Sequence, residues 1–247
     1  MAAPLTWRGH FYNTPILTIY DIWVLHLNMP YAWGAQTSTV LLPLFRSAFA
    51  QSRRHLDIGV ATGYFPSRGL SHTRAHAHAR AVSKREEESN KMEITLMDIA
   101  PNSLSLAAQR IERENPGAAR ITTIQADALG PAPDALRGRF DSVSMFNLVH
   151  CIPGTQEAKA RVFGLAKDVL SDEGVLVGCT VLGWRYLGWR VLGWLSLGLF
   201  NLVGAFSNWG EGREAYEQAL RREFEEVETW VCGSMLLWRG SRPRRDN

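Results

Sequence analysis

From Arg53 to the C-terminus, short apolar runs alternate with stretches of helical periodicity, and this alternation constrains the chain more than any other feature. Strands separated by covering helices are satisfied by β-α units that feed a mostly parallel sheet. The apolar runs place strands at residues 55–59, 93–98, 120–125, 142–148 and 174–180. Between them, Leu104, Ala107, Ala108 and Ile111 recur at helical spacing, as do Ala160, Val162, Phe163, Ala166, Val169 and Leu170. A charged helix over 211–222 and two closely spaced strands, 226–233 and 234–239, complete the pattern. The expected fold class is α/β: a doubly wound, mostly parallel seven-stranded sheet whose last two strands form an antiparallel hairpin.

A chain of 247 residues can bury a substantial core, and it reads as one domain with several appendages. Residues 1–50 hold Trp7, Phe11, Tyr12, Tyr20, Trp23, Tyr31 and Trp33, which suits a helical cap across the sheet's ligand-binding edge. Residues 68–91 are rich in Arg, His, Glu and Ser and read as a flexible, solvated insertion. Within it His72 and His76 would share a helix face, with His78 nearby, but no Cys or carboxylate at ligand spacing completes a metal site. The Arg-rich tail, 239–247, reads as a frayed terminus.

Lys and Arg number 27 against 24 Asp and Glu, and their mixing along the chain excludes the clustered basic footprint of a nucleic-acid binder. Cys151, Cys179 and Cys232 are far apart, which argues for a reducing compartment. Pro4, Arg8, His10 and Asn13 interrupt any signal-peptide core, so the expected location is the cytoplasm.

The chemistry concentrates where strands end. In His55-Leu-Asp57-Ile-Gly59-Val-Ala61-Thr-Gly63 a strand closes on an acid and runs into a turn of small residues that lets a ligand touch backbone. The acid precedes the first glycine, which disfavours a phosphate and favours a cationic ligand. Asp98 and Asp127 end the next two strands, where one carboxylate could take ribose hydroxyls and the other an adenine amino group. Helix capping is the competing reading for each acid alone.

On these residues the chain resembles the class I S-adenosylmethionine-dependent methyltransferases, in particular small-molecule enzymes of natural-product pathways. The resemblance spans roughly residues 53–181 and is carried by HLDIGVATGYF, ITLMDIAPNSL, IQADAL, FDSVSMFNLVHCIPG and LSDEGVLVGCTVLG. It implies a Rossmann-like methyltransferase fold with S-adenosyl-L-methionine as cofactor. Asp57, Gly59, Ala61 and Gly63 would line its methionine end, Asp98 would bind its ribose, Asp127 and Ala128 would flank its adenine, and Asn147 would close the pocket floor, with Thr62 and Ile99 as further cofactor-binding residues. In the family, N-terminal helices cover the cofactor, and Tyr20 and Trp33 are the aromatics chosen to lie near the sulfonium. Two departures stand out: Ala61 replaces the usual middle glycine, and the 68–91 insertion lengthens the path to the second strand.

Methyl transfer to a hydroxyl asks for a nearby base, and His150, after the fourth strand, is the first candidate, with His26 in the cap as the second. Structural roles for both stay open. Over residues 181–210, Leu-Gly-Trp recurs at 182, 187 and 192, giving either a helix buried under the cap or the roof of a pocket for an apolar acceptor. Glycines and polar residues dilute the uncharged run 191–210, so no transmembrane span is expected, while peripheral membrane contact and oligomeric state stay open. The expected activity is O-methylation of an apolar small molecule. The rival is a methyltransferase-fold cyclase or isomerase acting on an apolar intermediate without methyl transfer.

Overall fold

The strands are β1 (Arg54–Ile58), β2 (Met92–Asp98), β3 (Ala119–Gln125), β4 (Phe140–Phe146), β5 (Leu170–Val181), β6 (Phe224–Cys232) and β7 (Met235–Pro243). In this computed structural model, which describes residues 21–79 and 91–245, they form one sheet in the order β3-β2-β1-β4-β5-β7-β6. All pairings are parallel except those of β7, which runs antiparallel to β5 and β6. The strand order reverses between β1 and β4, which opens a crevice at the carboxyl ends of the central strands.

The helices are α1 (Asp21–Trp33), α2 (Leu42–Phe49), α3 (Tyr64–Ala79), α4 (Pro101–Glu114), α5 (Gln156–Lys159), α6 (Val162–Val169), α7 (Val191–Leu202) and α8 (Arg213–Glu223). Period-2 alternation divides the strand residues between two cores. Leu56 and Ile58 of β1 and Val143 and Met145 of β4 join Val162, Phe163, Ala166, Tyr216 and Leu220 of α6 and α8. On the other face Ile94 and Leu96 of β2 join Phe45, Phe49, Phe65, Leu104, Ala107 and Ile111.

Three expectations change. Among the described residues of the expected cap, α1 covers the ligand-binding edge, whereas α2 is amphipathic and buries Leu42, Leu44, Phe45, Ala48 and Phe49 against the sheet face. The stretch expected to be a solvated insertion is helical to Ala79: Leu70 is buried, and Gly69 has no room for a side chain, since a Cβ there would lie 2.6 Å from the Phe45 ring. The remainder of that expectation, residues 80–90, lies outside the described residues, as do the side chains of His76 and His78. The tail is anchored at least to Arg245, whose guanidinium donates to the Leu170 carbonyl at 2.6 Å and to Asp172 at 3.0 Å.

The apolar 181–210 segment folds as a short turn, Trp184–Tyr186, followed by α7. It is not the buried helix that was one of its two readings. Trp189 is 88% exposed and Leu202 85%, and Leu192, Leu195 and Leu199 share the exposed side of α7 with Leu202. The inner side packs on α1, where Ser196 donates to Asn28 at 3.1 Å and Gly193 lies so near the Ala32 carbonyl that a Cβ would stand 2.8 Å from it. Among the described residues no helix is long and apolar enough to cross a membrane.

Candidate active site

The turn after β1 is wound into the left-handed region at three alternating positions, with φ of 76° at Gly59, 45° at Ala61 and 70° at Gly63. Glycine is required at Gly63, where a Cβ would lie 2.8 Å from the Ala107 backbone of α4. Ala61 adopts the same hand despite its Cβ, so the missing middle glycine leaves the turn intact. A narrow cleft is lined by Asp57, Gly59, Ala61, Thr62, Tyr64, Asn147 and, from α1, Leu25.

Asp57 is buried at the end of β1, and its Oδ1 accepts the Ser144 hydroxyl. Burial pushes its carboxyl up to about 7; the Ser144 hydrogen bond opposes the shift and the neighbouring Asp98 adds to it. Asp98 is likewise raised by burial, against hydrogen bonds from the amides of Ala100, Ala61, Val60 and Ile99. Two acids held above their ordinary range in one crevice favour a ligand that brings positive charge and hydroxyl donors. Ile99 is exposed beside them, and Asp127 is exposed at the end of β3, where its Oδ1 accepts the Leu129 amide at 2.9 Å in a local turn. Asp127 therefore bonds within a local turn and caps no helix. Ala128 follows it, half-buried.

Asn147 is also left-handed, with φ of 59°; its Oδ1 accepts the Cys179 thiol at 3.5 Å, while its buried Nδ2 has no partner. A buried amide donor without an acceptor at a cleft wall is a place where a ligand oxygen would fit. The raised acids, the left-handed turn and this orphaned donor together fit S-adenosylmethionine.

Thr62 lines the same cleft but spends its hydroxyl on the cap. It donates to Asp21 Oδ1 of α1 at 2.6 Å, while Arg110 of α4 donates to Asp21 Oδ2 and, at 3.1 Å, to Thr62 Oγ1. The guanidinium also lies 5.3 Å above the Tyr64 ring. The sequence reading missed this latch, because Asp21 and Arg110 belong to segments with no local motif.

His150 is buried in the turn after β4 (Val149–Cys151), where Nδ1 accepts the Val181 amide at 3.1 Å and lies 3.1 Å from the Thr180 hydroxyl. An accepting Nδ1 fixes the neutral ring's proton on Nε2. Burial, and secondarily the Lys159 charge, push this imidazole down to about 3. The structure thus gives His150 a donating Nε2 and an engaged Nδ1, an arrangement suited to orienting an oxygen more than to accepting its proton. The Phe206 ring stands 4.3 Å from it. His26 is exposed on α1, edge-on to Tyr64 at 6.0 Å. Trp33 is buried at the end of α1 beside Phe206, away from the residues that line the cleft, and its carbonyl accepts the Ser234 amide at 2.8 Å. Tyr20 lies outside the described residues.

His55 is the second buried imidazole and is also pushed down to about 3, by burial alone. Both histidines fold neutral, so each contributes stability that is complete above about pH 6.5 and is lost as pH falls toward the folded value. Asp57, Asp98 and Glu211, all raised by burial, work in the opposite direction, so the contribution of one imidazole is read against its own variant. The stability difference between the protein and His55→Gln in denaturant unfolding should therefore shrink from pH 8 to pH 4; a difference unchanged by acidification would contradict the neutral, buried state of this ring.

The comparisons agree with this geometry. Residues 74–178 match the family model described as a methyltransferase domain. An O-methyltransferase of Pyricularia oryzae, NEC2, is 41% identical over 95% of this chain and 92% of its own length. The physcion biosynthesis cluster O-methyltransferase of Aspergillus chevalieri is 36% identical over 94% of each chain. Among solved structures, PigF with S-adenosylhomocysteine superposes with a TM-score of 0.61 at 16% identity, covering 97% of this chain and 63% of that one.

Proposed function

Because the chain belongs to the class I S-adenosylmethionine-dependent methyltransferases, we propose that it methylates a hydroxyl oxygen of an apolar secondary metabolite, using the crevice above β1, β2 and β3. The observation that carries the site assignment is the meeting of Asp57 and the left-handed turn in one cleft, with Asp98 behind the turn accepting its Val60 and Ala61 amides. In this reading Asp57 receives the cofactor's ammonium, the Gly59, Ala61 and Gly63 backbone takes its carboxylate end, and Asp98 binds the ribose hydroxyls. Ile99, Asp127 and Ala128 flank the adenine, and Asn147 offers its free Nδ2 from the floor.

The bound cofactor supplies an activated methyl group, so the protein's work is positioning the acceptor and handling its proton. Nε2–H of His150 donates to the acceptor oxygen and holds it in line, with Phe206 beside it as an apolar wall. His26, exposed above Tyr64, is the remaining candidate for taking the proton to solvent. Support for an apolar acceptor comes from the segment around α7, where Trp184 and Trp194 pack at 6.0 Å and Phe200 stacks on Phe206 at 4.7 Å.

The outward Leu and Trp side chains of α7, flanked by Arg185 and Arg190, are proposed to rest on a lipid surface from which such an acceptor partitions. Cys151, Cys179 and Cys232 form no disulfide, which supports a reducing, cytoplasmic setting. One assay tests the reading: transfer of a labelled methyl group to apolar phenols and enols, supplied free or in anionic vesicles. Turnover of an apolar hydroxyl compound, with the protein sedimenting with the vesicles, is expected. Transfer confined to amines or to water-soluble acceptors, or protein left in the supernatant, would overturn the corresponding part.

A further inference from the structure

Beneath the cleft runs a chain of buried polar groups that the transfer reaction does not use. His55 is fully buried between Phe45 and Phe49, whose rings meet it edge-on at 5.3 and 4.8 Å. Its Nδ1 lies 2.7 Å from Ser142 Oγ and its Nε2 3.0 Å from Ser144 Oγ. Ser144 reaches Asp57, and Ser142 lies 2.6 Å from Ser52 Oγ, which in turn lies 2.8 Å from the Ala48 carbonyl. The order is therefore Asp57, Ser144, His55, Ser142, Ser52, Ala48 carbonyl, with every side chain buried.

Hydrogen counting fixes how this chain can be wired. A hydroxyl donates once, a neutral imidazole donates from one nitrogen and accepts at the other, and a carboxylate only accepts. If Asp57 is charged, Ser144 donates to it. Nε2–H of His55 must then donate to Ser144, Nδ1 must accept from Ser142, and Ser142 must accept from Ser52. If Asp57 holds a proton, every donor reverses: Asp57 to Ser144, Ser144 to Nε2, Nδ1–H to Ser142, Ser142 to Ser52, and Ser52 to the Ala48 carbonyl. The second state holds one more proton than the first, taken from solvent, and both use the same heavy-atom positions. Cooperative polarisation disfavours mixed wirings.

We propose that this relay is a two-state device in which the tautomer of His55 and the charge of Asp57 change together, and that ammonium binding at Asp57 locks the charged state with His55 as its positioning residue. The inference rests on the reading of Asp57 as the ammonium's partner. The surroundings permit both states near neutrality. Asp57 is pushed up to about 7, and His55 stays neutral throughout. Of the elements around the carboxylate, β2 brings the charge of Asp98, β4 brings only hydroxyls, and Asp21 of α1 is paired with Arg110. The sequence held a legible trace of the device, since alternation puts His55 beside Asp57 on β1 and Ser142 beside Ser144 on β4, on facing edges of paired strands.

The test is nitrogen-15 NMR of the full chain, with His55 assigned by its loss in His55→Gln. In the absence of ligand the resonance should report Nε2–H at pH 8.5 and Nδ1–H at pH 5.5, and saturating S-adenosylhomocysteine should hold Nε2–H throughout. One tautomer at every pH without ligand would overturn the proposal. Calorimetry separates the underlying reading from the relay, using S-adenosylhomocysteine and 5′-methylthioadenosine, which lacks the amino-acid end. Asp57→Asn should weaken only the former, and equal effects on both would remove Asp57 as the ammonium's partner. Ser144→Ala should weaken S-adenosylhomocysteine at least tenfold while leaving methylthioadenosine unchanged. If Asp57→Asn discriminates the two ligands but Ser144→Ala does not, the relay fails and the Asp57 reading stands.

Discussion

Lys159→Met should destabilise the protein by about 3–5 kcal/mol, the usual cost of stranding one member of a buried ion pair. The Lys159 ammonium is fully buried and lies 2.5 Å from Glu211 Oε1; it also donates to the Ser207 carbonyl. The Tyr216 hydroxyl donates to the other Glu211 oxygen at 2.5 Å. Removing the lysine leaves a carboxylate without its counter-charge and a carbonyl without its donor. Thermal unfolding should show a melting temperature lower by roughly 6–20 °C, given about 2–4 °C per kcal/mol for a chain of this size. Adding Glu211→Gln removes the stranded charge while keeping an acceptor for Tyr216, so the double variant should recover more than half of the loss. Additive losses in the double variant would show that the pair contributes packing and no coupling.

The same cluster reaches the His150 turn, because Ser207 also donates its amide to the His150 carbonyl at 2.9 Å. The loop returning from α7 is thereby tied to the turn that carries His150 and to the end of α5.

Asp98→Ala should weaken S-adenosylhomocysteine binding by roughly 10- to 100-fold, since hydrogen bonds to a charged acceptor contribute about 1.5–3 kcal/mol. One Asp98 oxygen accepts the Ala100 amide at 2.9 Å, which holds the carboxylate in place for the ribose hydroxyls. The loss should appear equally with methylthioadenosine, because both ligands carry the ribose, and this separates Asp98 from Asp57. Unchanged affinity in calorimetry would mean that Asp98 only shapes the Val60–Ala61 turn.

Much of the fold was legible because its signals are local. The alternation of β4, with Val143 and Met145 to one side and Ser142 and Ser144 to the other, is enough to define a strand with two different faces. The acids at the ends of β1, β2 and β3 were found for the same reason: a single residue at a strand terminus is visible in the sequence. What was not legible depends on contacts between distant segments. Nothing near Gly69 announces that Phe45 and Phe49 will pack against it, so α3 read as a solvated excursion. Trp33 looked like a cofactor aromatic because α1 belongs to the cap, yet the Ser234 amide and Phe206 draw it to the far end of that helix. His150 was recognisable as the histidine that follows β4, but its protonation pattern depends on the Val181 amide, which sequence does not reveal.

The contact between α1 and α7 bears on the order in which a turnover ends. Asp21 closes α1 over the glycine turn through Thr62 and Arg110, while Asn28, two turns further along, accepts the Ser196 hydroxyl of α7. In the proposed reading α1 lies over the nucleotide and α7 over the acceptor, so the Ser196–Asn28 hydrogen bond couples the two covers and release of one ligand would loosen the cover of the other.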